Sequence, residues 1–358
     1  MFSGRRLLGK LSLVFGGNRL AGTLVNVPHV PVMAVETIKF LKPQDNELFL
    51  DMTFGAGGHT KEILKVAPNA KVIALDRDPT AHQMALDLAK KYPGQIFPVL
   101  GRFSELPEKL SKLNVNQQSI DGVIFDFGCS SMQFDEGSRG FSISKNGPLD
   151  MRMDQDRFPD SPSAAEILSK IDEMDLARIL KIYGEEKQAK KIARAIVETR
   201  YSIKKIETTK ELADLVQSCL GSGSFRLDKL QRPSHPATKT FQALRIFVNN
   251  ELNEINYGMI LAHRYLKIGG KMIAITFHSL EDTIVKRHVM GNVLNDMANT
   301  LPLKYCSHTI SYEHEVMENV MKSSWHQMTK HVVLPSDDEV EQNPRSRSAK
   351  LRAVVRMT

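Results

Sequence analysis

The sequence predicts an α/β fold: a doubly wound parallel sheet interrupted by an inserted helical domain. Three observations carry that expectation. Short apolar strands alternate with helix-length segments from residue 47 onward. The alternation stops after the fourth strand, at about residue 139, and strand patterns return only after 235. A glycine-rich turn, "TFGAGGHT", follows the first strand directly.

The elements follow in order. "ELFLDM" is a short buried strand, followed by the turn and a helix near 60–66. "KVIALD" is a second strand ending at Asp76. "PTAHQMALDLAKKY" is helical, with Ala81, Met84, Ala85 and Leu88 on one face. "IFPVL" and "DGVIFD" are the third and fourth strands. Parallel strands joined by such segments imply right-handed crossovers. Between 139 and 232, Ser163-x-x-Glu166 and Thr208-x-x-Glu211 read as capping boxes that open helices. In "KQAKKIARAIVETRY", Ala189, Ile192, Ala193, Ile196 and Val197 form one face, and Lys187, Lys190, Lys191 and Arg194 the other. A long helical pattern runs through "FQALRIFVNNELNEINYGMILAHRYL", then "KIGG" as a turn, "KMIAITF" as a fifth strand and "LRAVVRM" as a last one. "PSDDEVEQNP" reads as a solvated loop.

Composition narrows the class. The chain of 358 residues is 42% hydrophobic and 25% charged, ordinary for a globular protein, and no apolar run approaches a membrane span. No membrane partner is expected. Cys129, Cys219 and Cys306 are odd in number and widely spaced, which argues against a disulfide framework or a thiolate zinc site; no metal is expected. Of a formal charge of +7, four positive charges (Arg5, Arg6, Lys10 and Arg19) precede the first acid, Glu36. That acid-free stretch of arginine, leucine, serine and small residues has the composition of a mitochondrial transit peptide, here residues 1–26. A secretory signal fits less well, since "LSLVF" is short, is broken by Gly16-Gly17 and is followed by Arg19. The body is no uniformly basic coat, so nucleic-acid binding would need a local patch.

The glycine turn discriminates between cofactors. A dinucleotide turn wants G-x-G-x-x-G, and Thr60 stands at its third glycine. Asp51-x-Thr53-x-Gly55-x-Gly57 has the spacing of a methyltransferase turn, with Thr53 in place of the first glycine. There the backbone approaches the methionine part of the cofactor, and the helix N-terminus faces its carboxylate. Asp76 would accept from the ribose hydroxyls, Phe103 would lie against adenine, and Asp126 would sit near the transferred methyl. A strand-end acid or a core phenylalanine explains any one of these alone. Together, at successive strand ends, they favour a site.

"HVPVM", "TFGAGGHT", "LDRDP", "DFGCSSMQFD", "RGFS", "GPLDMRMD", "YGEE", "HPATKTFQALRIFVN", "TFHSLED" and "NPRSRSAKLR" follow one another from about His29 to Arg352. This series resembles the S-adenosylmethionine-dependent ribosomal RNA small-subunit cytosine-N4 methyltransferases of the MraW type, and with the leader looks most like a mitochondrial member. The resemblance implies a class I methyltransferase (Rossmann-like) domain, residues 27–138 and 233–358, with an inserted helical domain at 139–232. It implies S-adenosyl-L-methionine contacts at Gly57, Gly58, His59, Asp76, Phe103, Asp126 and Gln133. Where the family reads D-L-G-V-S-S-P-Q, Phe127, Cys129 and Met132 depart. The basic position before "HPAT" is Ser234 here. The activity implied is N4-methylation of a cytidine in mitochondrial small-subunit ribosomal RNA, in the matrix, on a pre-ribosomal particle, with a homodimer possible.

A cytosine amine is a weak nucleophile, because its lone pair is delocalised into the ring. Asp126, Ser130 and Ser131 stand where acceptors for its proton are needed. Alignment of amine, methyl and sulfur should supply much of the rate, and the base must leave its stack to enter. For RNA, the expectation falls on Lys187, Lys190, Lys191 and Arg194, on Arg345 and Arg347 of "NPRSRSAKLR", and on His278. "TFHSLED" follows the fifth strand, so His278 and Ser279 are expected to face the crevice, with Ser279-x-x-Asp282 as a helix cap the slightly favoured alternative for Ser279. Two other functions compete: methylation of DNA or protein, and a non-catalytic RNA-binding assembly factor. The absence of a (D/N)-P-P-(Y/F) tetrapeptide after the fourth strand argues against the DNA enzyme.

Overall fold

The computed structural model describes residues 31–202, 204–221, 226–227, 233–291, 293–294, 297–298 and 323–358. The expected leader and most of 222–232 lie outside the described residues. The main sheet has seven strands: β1 (Leu48–Asp51), β2 (Lys71–Asp76), β3 (Ile96–Leu100), β4 (Ile120–Asp126), β5 (Leu266–Thr276), β6 (Trp325–Gln327) and β7 (Lys350–Arg356). Their order is β6-β7-β5-β4-β1-β2-β3. From β3 to β5 all neighbours are parallel, and β7 runs antiparallel to both β5 and β6. The central strands read as unbroken apolar runs because helices cover both of their faces. The chain winds outward from β1 in both directions, so β1 and β4 flank the switch point, where such sheets bind ligands.

The helices that matter here are α1 (Ala34–Leu41), α2 (Gly58–Val66), α3 (Pro79–Lys91), α4 (Leu106–Lys112), α5 (Ser131–Asp135), α6 (Ala164–Lys170), α7 (Glu173–Tyr183), α8 (Ala189–Ser202), α9 (Thr209–Leu220), α10 (Thr238–Val248), α11 (Glu251–Tyr265), α12 (Ser279–Val289) and α13 (Asp337–Gln342). Both expected capping boxes form: Ser163 opens α6 against Glu166, and Thr208 opens α9 against Glu211. In α8, Ala189, Ile192, Ala193 and Ile196 are buried, while Lys190, Lys191 and Arg194 are exposed, with Lys187 exposed in the turn before it. These helices share one apolar cluster, running from Phe141 through Ile192 and Val216 to Leu244. α10, which begins after residue 232, therefore packs into the inserted helices as well as against the sheet domain.

The structure departs from the sequence reading in five places. Met84 is 42% exposed, so the buried face of α3 is Ala81, Ala85 and Leu88. "KIGG" lies inside β5 as a bulge: Ile120 pairs with Leu266, yet Gly122 pairs with Lys271. The long helical pattern is two helices, broken where Asn250 takes a left-handed conformation, φ 51°. The acidic segment expected to be loop holds α13, capped by Ser336, and its Glu339 accepts from the Met33 N–H at 2.6 Å. Trp325–Gln327 forms an edge strand that three residues were too few to announce.

Candidate active site

β1 delivers Asp51 to the start of the turn. Its buried carboxylate accepts from Thr60 Oγ1 at 2.7 Å and from the Thr53 N–H at 3.2 Å. Thr60, at the third-glycine position, thus supplies the hydroxyl that ties α2 to β1. Gly55 and Gly57 have φ of 53° and 74°, where an L side chain is strained. A Cβ on Gly57 would lie 2.6 Å from the Phe54 ring, and one on Gly58 would lie 2.8 Å from Pro31. The turn is therefore closed to side chains at both positions.

At the end of β2, Asp76 accepts from the Gly55 N–H at 2.7 Å and the Asp78 N–H at 2.9 Å. Burial outweighs these bonds and raises its pKa to about 6. At the end of β4, the Asp126 N–H donates to Thr53 Oγ1 at 2.6 Å. That bond ties the end of β4 to the glycine turn. The Asp126 Oδ1 is buried without a hydrogen-bond partner, and its Oδ2 lies 3.7 Å from His59 Nε2. His59 is buried too, and neither ring nitrogen has a hydrogen-bond partner. Burial works to lower the His59 pKa, but Asp126 beside it, reinforced by Asp51, raises it above the usual value.

After β4 the chain turns at Gly128 (φ 96°), and Ser130 caps α5. Ser130 Oγ accepts from the Gln133 N–H at 3.4 Å, and Gln133 Oε1 accepts from the Ser130 N–H at 3.1 Å. Gln133 Nε2 also donates to Asp78 at 2.8 Å. Phe103 stands edge-on to Phe125 and Phe127, at centroid distances of 5.6 and 6.3 Å.

These groups surround one cavity of about 650 Å³, a size suited to a cofactor. Of the residues expected from sequence, Gly58, His59, Asp76, Phe103 and Asp126 line it, as do Ser130, Ser131 and Gln133 beyond β4 and Arg345 and Arg347 at its mouth. Gly57 stands behind the wall. Lys187, Lys190, Lys191 and Arg194 lie outside the cavity, on the surface of the inserted helices. The expectation that His278 faces the crevice and Ser279 caps α12 is corrected. His278 is itself the cap, accepting from the Glu281 N–H at 3.4 Å, and it is not among the lining residues. Ser279 instead donates to Glu185 at 2.5 Å. Arg345 bonds Asp135 at 2.8 Å, and Arg352 bonds Asp282 at 2.8 Å.

Three features were missed. Pro31 and Val32 form part of the cavity wall. Arg245 of α10 pairs with Glu251 of α11 beside the Gly128 turn. Asp154 of the inserted segment is gripped by Arg77, Arg102 and Arg157. For Arg245 and Asp154 the signal was a charged side chain whose partners only the fold reveals, and for Pro31 and Val32 the sequence offered none. Glu251, His278 and Glu281 also bring three ligand-type atoms within 4.8 Å of one another. The Arg245 guanidinium already occupies that charge, bonding Glu251 and lying 3.6 Å from Glu281.

The donor set fits S-adenosylmethionine: a glycine wall, a ribose-type acid and an orphaned carboxylate oxygen where a methyl acceptor would stand. With the sheet order, this defines a class I methyltransferase fold. The MraW methylase family model matches residues 26–357, and the chain belongs to that family. It is 55% identical over 335 residues to the "Probable methyltransferase-like protein 15 homolog" of Drosophila melanogaster, covering 93% of this chain and 94% of that one. It is 48% identical over 337 residues to the human "12S rRNA N(4)-cytidine methyltransferase METTL15", covering 92% and 83%. An 82% match over 331 residues covers 92% of this chain but only 22% of a "Putative receptor-type tyrosine-protein phosphatase mosPTP-1" from Culex quinquefasciatus. The chain thus spans about a fifth of that relative's length.

Proposed function

We propose that this protein transfers a methyl group from S-adenosylmethionine to N4 of a cytidine in mitochondrial small-subunit ribosomal RNA. It acts in the matrix, on an assembling particle, in support of mitochondrial translation. The observation that carries the chemistry is the Asp126 carboxylate: it ends β4 at the cavity, with Oδ1 buried and unpartnered. Family membership and the printed names of the fly and human relatives support the substrate class.

When bound, the cofactor supplies an electrophilic methyl group on its sulfonium. Asp76 accepts from the ribose hydroxyls, the Gly55–His59 turn and the first N–H groups of α2 meet the carboxylate end, and Phe103 packs against adenine. Asp126 accepts from the target N4–H, which turns the amine toward the methyl and takes up part of the charge that develops there. His59, 3.7 Å away and buried, holds that carboxylate in place. Ser130 and Ser131 border the amine from the loop after β4, and Gln133 braces that loop through Ser130 and Asp78. The inserted helices at 139–232, with α10, present Lys187, Lys190, Lys191 and Arg194 to the RNA backbone, while Arg345 and Arg347 receive phosphate at the mouth.

Nucleoside mass analysis of mitochondrial small-subunit RNA, with and without the protein, tests the function. Loss of N4-methylcytidine without the protein, and its return with wild type but not Asp126→Ala, is expected. An unchanged level would overturn the function. Removal of residues 1–26 should preserve activity in vitro and abolish import; matrix localisation of the shortened chain would refute the leader.

A further inference from the structure

The cavity continues past Asp126 to a half-buried guanidinium that the transfer chemistry leaves without a task. Arg245 donates through Nε and Nη2 to the two oxygens of Glu251, at 2.8 and 2.9 Å. Its Nη2 also lies 3.6 Å from Glu281. Glu281 is wholly buried and accepts from the Phe277 N–H at 2.7 Å. Two carboxylates on two different helices thus fix the fork in one plane. A guanidinium carries five N–H donors; the carboxylate clamp engages one edge of it, and the Cys129 thiol after β4 also interacts with it. The other edge, Nη1, faces the turn after β4, 3.9 Å from where a Cβ on Gly128 would stand. Gly128 is two residues beyond Asp126, and Arg245, Glu251 and Asp126 all line the same cavity.

A cytosine presents its N4 amine, ring N3 and O2 side by side, as donor, acceptor and acceptor. Asp126 is the acceptor matched to the first. We propose that Arg245 is the donor matched to the second and third, and so selects cytosine over uracil, with Glu251 as the residue that positions it. The inference rests on the methyltransferase function proposed above. Uracil entering the same way would turn O4 toward a carboxylate and N3–H toward a guanidinium, so both contacts become repulsive. Pre-alignment matters because an arginine fixed by a bidentate carboxylate loses little freedom when the base arrives.

The test begins by mapping the position that wild-type protein methylates on mitochondrial small-subunit RNA. Short oligoribonucleotides spanning it are then made with cytidine, uridine or 3-deazacytidine there; the last keeps the amine and replaces ring N3 with C–H. Affinity is measured with the full chain loaded with S-adenosylhomocysteine, so nucleophilicity plays no part. Wild type should bind the 3-deaza and uridine oligonucleotides about tenfold or more weakly than the cytidine one, the consequence of leaving a buried donor unpaired. Arg245→Met should bind the cytidine and 3-deazacytidine oligonucleotides alike, while Asp126 still disfavours uridine in part. Equal wild-type affinity for cytidine and 3-deazacytidine would overturn the proposal without recourse to any variant. Retained discrimination between cytidine and 3-deazacytidine in a folded Arg245→Met would do the same. If no cytidine is methylated, the methyltransferase function itself fails; if one is methylated and the 3-deaza substitution is silent, only the role of Arg245 fails.

Discussion

Asp76 and Asp126 end strands on either side of the switch point, yet their surroundings give them different work. Asp126 has one carboxylate oxygen without a partner, and in the proposed reaction its replacement removes an acceptor needed only during transfer. Asp126→Asn should lower the methylation rate about 100-fold or more, with cofactor affinity little changed by calorimetry. In the proposed site Asp76 must be charged to accept from two ribose hydroxyls, and burial raises its pKa from 3.8 to about 6. Because the folded value lies above the unfolded one, its charge costs stability at neutral pH, and that cost is relieved as pH falls through about 6. Cofactor affinity runs the other way. It should be about tenfold weaker at pH 5 than at pH 7.5 in the wild type, and weak and nearly flat between those values in Asp76→Asn. Both acids were legible in the sequence because strand ends announce themselves by composition. Arg245 was not: its meaning lies in contacts with Glu251 and the Gly128 turn that only packing creates.

Among the elements, α8 has the clearest division of labour. Its apolar face is sealed against the inserted helices, so its basic face can change without disturbing the core. Replacing Lys187, Lys190, Lys191 and Arg194 with glutamine should weaken RNA binding and flatten its salt dependence, since each lost phosphate contact releases fewer counterions. Preference among RNA sequences should survive. Arg194 already lies 3.4 Å from Glu173, which makes it the smallest contributor of the four. Equal salt slopes for wild type and variant would show that this face carries no phosphate contact. Amphipathic helices and capping boxes were readable because their signals lie within one turn of chain. The bulge in β5 was hidden, because "KIGG" has the residues of a turn and only pairing with β4 reveals the strand continuing through it. The break at Asn250 was hidden by apolar periodicity on both sides.

At the scale of the molecule, the inserted helices and the sheet domain are joined at an ionic seam. Asp154 receives Arg102 at 2.9 Å, Arg157 at 3.1 Å and Arg77 in close contact, and Arg102 stacks on Phe158 at 4.0 Å. Burial would raise the Asp154 pKa, but Arg77 and Arg102 hold it below the usual carboxylate range. Its contribution is therefore present at neutral pH and lost only in acid. Asp154→Ala leaves three arginines facing one another and should cost about 3 kcal/mol or more, seen as a lower denaturation midpoint. Arg77 and Arg102 adjoin Asp76 and Phe103, so cofactor affinity should fall with it; a variant of unchanged stability would show the seam to be dispensable. An insertion between β4 and β5 was evident from the interrupted alternation, whereas this seam joins residues far apart in sequence. A practical matter follows from where the strands end. Pro31 is in the cavity wall, whereas β7 enters the sheet beside Thr276 at the cavity end and runs antiparallel, so Thr358 emerges at the opposite edge. An affinity tag or fluorescent fusion ahead of Pro31 would hang beside the cavity that Asp76 and Asp126 line, and one attached after Thr358 would sit at the far ends of the strands.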